Sequence, residues 1–179
     1  MEIPHFLYVG VTNGIGAGIM VNHQLYEGHK GFGGELGHTT IDFHGPRCPC
    51  GNIGCLELYA SIPVVLAKVS SPSWGDFLRA AQSGDPQCLR RLDEMCDYLA
   101  VALVNAINTF DPEAIFIGHE IALAGNLVTE RLRARIRNRT ISASYKQVPI
   151  LLSTFIDKAP LLGSATLVFD RLFKGDIQA

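Results

Sequence analysis

Apolar and polar positions along the chain change their period in a readable order. Phe6 to Thr12 is apolar and rich in β-formers, and Ile15 to Val21 is a second such run. Asn22-His23 makes a turn before Gln24-Leu25-Tyr26, so a hairpin and a short third strand are predicted. Gly14, Gly16 and Gly18 fall inside this hairpin at a spacing of two. From Gly28 to Gly54 the periodicity disappears and glycine recurs, which predicts a long loop. Helical spacing is then expected over Glu57 to Val69, followed by a turn at Ser70 to Ser73 and a short helix from Trp74 to Ser83 closed by Gly84. Asp85-Pro86 is a cap followed by a first-turn proline. The helix it opens carries Leu89, Leu92, Cys96, Leu99, Leu103, Ile107 and Phe110 at spacings of three and four, and Asp111-Pro112 ends it. The remainder reads as a strand at Ala114 to Gly118, a helix at Leu123 to Asn138, a strand at Val148 to Thr154 and a helix at Gly163 to Lys174.

Strands, loop, helices and then strand–helix–strand–helix predict an α/β domain with a mixed sheet. A chain of 179 residues with 47% hydrophobic content suits one domain with a full core. The net charge of −2 gives no reason to expect binding to nucleic acid or to an anionic membrane surface. The opening residues Met1-Glu2-Ile3-Pro4 do not read as a signal peptide, and no apolar run of about 18 residues predicts a membrane span. Five cysteines, an odd number without a disulfide framework, fit a reducing cytoplasm.

The chemistry concentrates between Glu35 and Glu57. His38, Cys48, Cys50 and Cys55 lie at spacings His-x9-Cys-x-Cys-x4-Cys among glycine and proline turns. Three sulfurs and one imidazole complete a tetrahedral set for zinc, and four protein ligands leave no open position, so the metal is expected to be structural. The residues by themselves also allow small buried cysteines, a redox pair at Cys48 and Cys50, or His44 in place of His38. Glu35 and Glu57 flank the set. Carboxylates accept pairs of hydroxyl hydrogen bonds, as a sugar diol would offer, although an acid at a helix start such as Glu57 is favoured for its charge alone.

The run Gly34-Glu35-Leu36-Gly37-His38, then Cys48-Pro49-Cys50-Gly51-Asn52-Ile53-Gly54-Cys55-Leu56-Glu57 and Ser61, resembles the signature of the ROK family (repressor, open reading frame, kinase). The hairpin Thr12-Asn13-Gly14-Ile15-Gly16-Ala17-Gly18 and the tail Pro160-Leu161-Leu162-Gly163-Ser164-Ala165 are similar to it as well. The resemblance implies the C-terminal lobe of an actin-like ATPase (ribonuclease H-like) fold over residues 1–179, with the N-terminal lobe and any DNA-binding domain outside the chain. It implies that Glu35, His38 and Glu57 contact a small sugar or sugar phosphate, that Thr12 and Gly14 belong to a phosphate-binding hairpin, and that family members assemble as homo-oligomers. DNA would be reached only through a domain absent from this chain.

Family kinases carry Gly-Thr-Gly-Ile-Gly in the hairpin and a glycine run after the late strand. Here Asn13 intervenes and Ile117-Gly118-His119-Glu120 stands in the second place, which counts against ATP. The resemblance places the catalytic aspartate upstream of the hairpin, so phosphorylation by this chain alone is not expected. These departures, with the tail Phe169-Asp170-Arg171-Leu172-Phe173, favour a sugar-responsive regulator; Gly33-Gly34-Glu35 looks more kinase-like, and half of a sugar kinase is the alternative. A zinc-stabilised interaction module without a small ligand is a third class. Arg131, Arg133, Arg135, Arg137 and Arg139 scatter over more than one helix face and read as a solvated surface. Cys88 and Cys96 read as core filler, Trp74 as a core or hinge residue, and His44 and His119 receive no role.

Overall fold

The computed structural model describes residues 3–156 and 158–175. Strands β1 (Phe6–Val11), β2 (Ile15–Val21) and β3 (Gln24–Leu25) form the predicted antiparallel set, with Val11 opposite Ile15 and Phe6 opposite Met20. Strand β4 (Ala114–Gly118) lies parallel to β1, with Gly10 beside Gly118, and β5 (Ile150–Leu152) lies parallel to β4. The sheet is therefore mixed, in the order β3-β2-β1-β4-β5.

Helix α1 (Glu57–Ala60) and helix α2 (Ile62–Ala67) occupy the segment expected to be one helix. Ser61 breaks it with an extended backbone (ψ 152°), and the Ile62 N–H donates to Thr12 O at 3.0 Å instead of continuing the ladder. Pro63 has no N–H to offer, so the break loses little and ties the helix pair to the end of β1. Helix α3 (Trp74–Gln82) starts at Ser73, whose hydroxyl accepts from Asp76 N. Helix α4 (Pro86–Phe110) has 25 residues, about 38 Å of helix. Asp85 caps it by accepting from Gln87 N at 2.9 Å and Cys88 N at 2.8 Å. The Cys88 N–H above all holds the Asp85 carboxyl below its usual range. Asp111, left-handed at φ 48°, ends the helix just before Pro112.

Alternation along the strands sets the layers. Leu7, Val9 and Val11 of β1 and Ile115 and Ile117 of β4 are buried in one cluster with Leu92, Met95, Cys96, Leu99, Leu103 and Ile107 of α4. The ends of the apolar stripe, Leu89 and Phe110, are less buried than its middle. Phe6, Tyr8, Gly10 and Thr12 take the opposite face of β1.

Helix α5 (Asn126–Ile136) begins three residues later than the sequence pattern suggests. Gly125 (φ 56°, ψ −133°) interrupts the chain there, and a 3₁₀ turn, His119–Ala124, precedes it. Strand β5 is shorter than expected at three residues, and the last helix, α6 (Ala159–Lys174), starts four residues earlier than expected.

The arginine run is only partly a solvated face. Arg131 pairs with Asp93 at 3.1 Å and Arg135 with Asp93 at 2.8 Å and with Asp97, which fastens α5 to α4, while Arg133 donates to Ile150 O on β5. Trp74 is buried, stacks on Phe77 with ring centroids 5.0 Å apart, and donates from Nε1 to Glu120 O at 2.9 Å. It therefore joins α3 to the turn after β4, in keeping with a core or hinge residue. Trp74→Phe leaves the Glu120 carbonyl without that partner, and urea unfolding should register a loss of about 1–3 kcal/mol.

Candidate metal centre and adjoining cleft

The long loop is pressed onto β2 at Gly34. Ala17 N donates to Gly34 O at 2.8 Å, Gly34 has φ +88°, and a Cβ there would lie 1.8 Å from Ala17 O. Only glycine fits, and this contact delivers the next residues to the hairpin. Glu35 precedes a single 3₁₀ turn, Leu36–His38, which ends on His38.

Beyond that turn the chain folds into a small ribbon through the antiparallel bridges Thr40–Cys55 and Arg47–Ile53. Cys48 N donates to Asn52 O at 2.8 Å and Gly51 N to Cys48 O at 2.9 Å, making a tight turn around Cys50. Asn52 Nδ2 donates to His38 O at 2.9 Å, joining the turn to the histidine. Tyr59 of α1 donates to Asp42 Oδ2 at 3.1 Å while its ring packs on Tyr98 of α4 at 4.5 Å. The loop is thus anchored to β2, to itself and to the helical layer.

These contacts bring His38, Cys48, Cys50 and Cys55 together, with one donor atom from each lying within 4.8 Å of the others. Cys50 Sγ is 3.7 Å from Cys55 Sγ, and Cys48 Sγ is 3.7 Å from His38 Nδ1. A tetrahedron with metal–sulfur bonds of about 2.3 Å has sulfur–sulfur edges of about 3.7 Å. A disulfide needs about 2.05 Å, and all five cysteines are free thiols here. The donor set and its spacing therefore fit a four-coordinate soft metal ion. The Asn52 backbone N–H, ahead of the Cys48 contact, lowers the exposed Cys50 thiol, whereas burial foremost pushes Cys55 up to about 12. A cation among the sulfurs favours all three thiolates. His44 lies outside the set, exposed with its ring against Phe43. Cys88 and Cys96 are buried in the core.

Next to the donor set is an open cleft of about 410 Å³, on the sheet face opposite α4. Glu35, His38 and Glu57 line it, and so do Thr12 and Gly14 of the hairpin. All five residues singled out for ligand contact share one space. His38 belongs to both the donor set and the cleft, with Nδ1 turned to the sulfurs. Glu57 opens α1 two residues after Cys55, and its Oε2 accepts from Ile15 N at 3.1 Å. That single bond joins the end of the cysteine loop to the hairpin.

Tyr8 and His119 also line the cleft, and the sequence pattern assigned neither a role. The signal for Tyr8 was available, because alternation on β1 puts it on the face of Gly10 and Thr12. His119 follows a strand that pairs parallel to β1, and that pairing is a tertiary fact.

A model of the ROK family matches residues 2–171. The xylose repressor of Bacillus subtilis is 36% identical over 170 residues, which cover 93% of this chain and 44% of the repressor. The glucokinase of Thermotoga maritima is 29% identical over 187 residues, covering 94% of this chain and 59% of the kinase. Among solved structures, a ROK family transcriptional regulator homologous to the Escherichia coli MLC protein superposes with a TM-score of 0.80 and 31% identity, over 91% of this chain and 45% of the regulator. The chain thus spans less than half the length of the repressor and of that regulator.

Proposed function

Because this chain belongs to the ROK family, we propose that it is the zinc-stabilised, sugar-sensing lobe of a transcriptional regulator. The observation that carries the reading is the convergence of Glu35, His38, Glu57 and the glycine hairpin on one cleft built against the Cys3His set. The similarity to a xylose repressor favours a regulator over a kinase, and xylose is the first sugar to test.

Zinc is the metal that the donor set suits best, and His38, Cys48, Cys50 and Cys55 would hold it. When bound it supplies a rigid tetrahedral anchor. The residues do the recognition. With Nδ1 turned to the sulfurs, His38 would carry its proton on Nε2 when the metal is bound and could donate a hydrogen bond from it to a sugar hydroxyl. Glu35 accepts hydroxyl hydrogen bonds, and Glu57, already fixed through Ile15 N, presents its remaining lone pairs to the same sugar. Sugar binding then reports on the relation between loop and hairpin, which is the mechanical change a regulator needs. Contact with DNA belongs, in this reading, to the part of the regulator that this chain does not span, and the regulator works as a homo-oligomer. Thr12 and Gly14 keep the shape of a phosphate-binding hairpin without ATP turnover by this chain.

Titration calorimetry with xylose, glucose and N-acetylglucosamine tests the reading. Glu57→Gln keeps the size and one acceptor but removes the charge, so affinity for the bound sugar should fall about tenfold, roughly 1.4 kcal/mol. Wild-type protein that binds none of the three sugars would reject the proposal, and so would ATP-dependent phosphorylation of sugar by this chain.

A further inference from the structure

The three cysteines of the donor set differ in their access to solvent. Cys48 and Cys55 are buried, with 5% and 0% exposure, whereas Cys50 is exposed. It stands at the tip of the turn that Cys48 N closes on Asn52 O at 2.8 Å, and residues 49–53 are exposed together. At Gly51, the next residue (φ +97°), a Cβ would meet open space, so nothing in the chain crowds the tip on that side. Cys50 Sγ lies 3.7 Å from Cys55 Sγ. One solvent-facing sulfur is thus in contact with one sheltered sulfur. The sequence allows a redox pair at Cys48 and Cys50, but this sulfur contact is with Cys55.

Sulfur oxidation follows access and thiolate character, and a reactive cysteine needs a second cysteine beside it to resolve its first product into a disulfide. A cysteine that ligates a cation is a thiolate. Cys50 meets the access condition and Cys55 supplies the resolving sulfur. Cys88 and Cys96, buried in the core, have no such access.

We propose that Cys50 is a site of oxidation by hydroperoxides, and that its oxidation joins it to Cys55 and empties the metal site. The Cys50 sulfur attacks one oxygen of hydrogen peroxide. The S–O bond forms as the O–O bond breaks, hydroxide leaves, and the sulfur is oxidised by two electrons to a sulfenic acid while the peroxide is reduced. The Cys55 thiolate then attacks the Cys50 sulfur; the S–S bond forms, the S–O bond breaks and a second hydroxide leaves. One peroxide is consumed and two thiolates become one disulfide. The sulfurs close from 3.7 Å to about 2.05 Å. Only His38 and Cys48 are left as donors, which is half of a tetrahedral set. The change reaches the cleft as well, because Cys55 lies two residues from Glu57, whose Oε2 accepts from Ile15 N. The inference stands on the Cys3His set and is independent of which ligand the cleft takes.

Two measurements on the full, metal-loaded chain test this. Iodoacetamide labelling with peptide mapping should modify Cys50 faster than Cys48, Cys55, Cys88 or Cys96, by about fivefold or more. On fresh protein, a small excess of hydrogen peroxide should release about one metal ion per chain into a colorimetric chelator. The loop peptide should then be about 2 Da lighter, with Cys50 linked to Cys55. Dithiothreitol with added zinc should restore both the thiols and the metal. A chain carrying Cys88→Ala and Cys96→Ala should release metal at the wild-type rate, since neither residue takes part. Faster labelling of Cys48 or Cys55, a disulfide between Cys48 and Cys50 instead, or oxidised protein that keeps its metal overturns the proposal. Protein isolated without metal overturns the release step, and the disulfide map then still decides the pairing of Cys50 with Cys55.

Discussion

Replacing Cys55 with serine should strip the metal and the sugar response together while leaving most of the fold standing. Cys55 is fully buried, is one of four donors, and stands two residues before Glu57. A structural zinc site in a small domain binds with roughly 10–16 kcal/mol near neutral pH, and a hydroxyl is a poor substitute for a thiolate. Metal content should fall from about one ion per chain to near zero. Without the ion the ribbon between 42 and 54 has few apolar contacts of its own, since Phe43 points outward with 77% exposure and the apolar anchors Leu36, Ile41 and Leu56 stand at its two ends. The loop should become open to proteolysis and Glu57 should lose its fixed position on Ile15 N. The helical layer has its own buried cluster, so the far-ultraviolet circular dichroism should change little. Cys96→Ser is the control: it buries a hydroxyl in the core and should cost stability, about 1–3 kcal/mol, without releasing metal. Elemental analysis of protein never exposed to chelator checks both variants, and wild-type protein without metal would remove the basis of the proposal.

Gly34→Ala, next to the cleft residue Glu35, should be a severely damaging exchange of one small residue for another. The left-handed backbone at Gly34 costs a non-glycine residue about 1–2 kcal/mol. Steric overlap costs more, because the new methyl would collide with Ala17 O, a backbone atom held in β2. The loop has to lift, the 2.8 Å bond from Ala17 N breaks, and Glu35 leaves the hairpin. A total on the order of 3–4 kcal/mol is expected, with at least a tenfold loss of sugar affinity. Gly84→Ala separates backbone strain from overlap. Gly84 has φ +91° after α3, and a Cβ there meets open space, so only the strain remains and sugar binding should be untouched. Urea titration and calorimetry on the pair measure the difference. Equal effects in the two variants would mean that the Gly34 contact does not hold the cleft.

Much of this protein is legible in one dimension. Apolar runs rich in β-formers located β1 and β2, and the cap at Asp85 with the stop at Asp111-Pro112 bounded α4 to the residue. Such signals depend on near neighbours only. The Cys3His set was legible too, because its ligands lie within 18 residues and few other uses explain that density of sulfur.

The sequence could not show what depends on distant partners. The helix expected at 57–69 breaks at Ser61 because Ile62 N bonds Thr12 O, fifty residues earlier. The arginine run looked solvated until α5 was laid on Asp93 and Asp97 of α4. His119 had no role until the parallel pairing of β4 with β1 carried it over Gly10. By itself the sequence determined the strands, the long helix, the metal donors and the two acids beside them, since each follows from local spacing and side-chain chemistry. Only the tertiary structure decided that the acids, the hairpin and two aromatic rings share one cleft, because the parallel sheet and the loop's contact with β2 bring together residues more than a hundred positions apart.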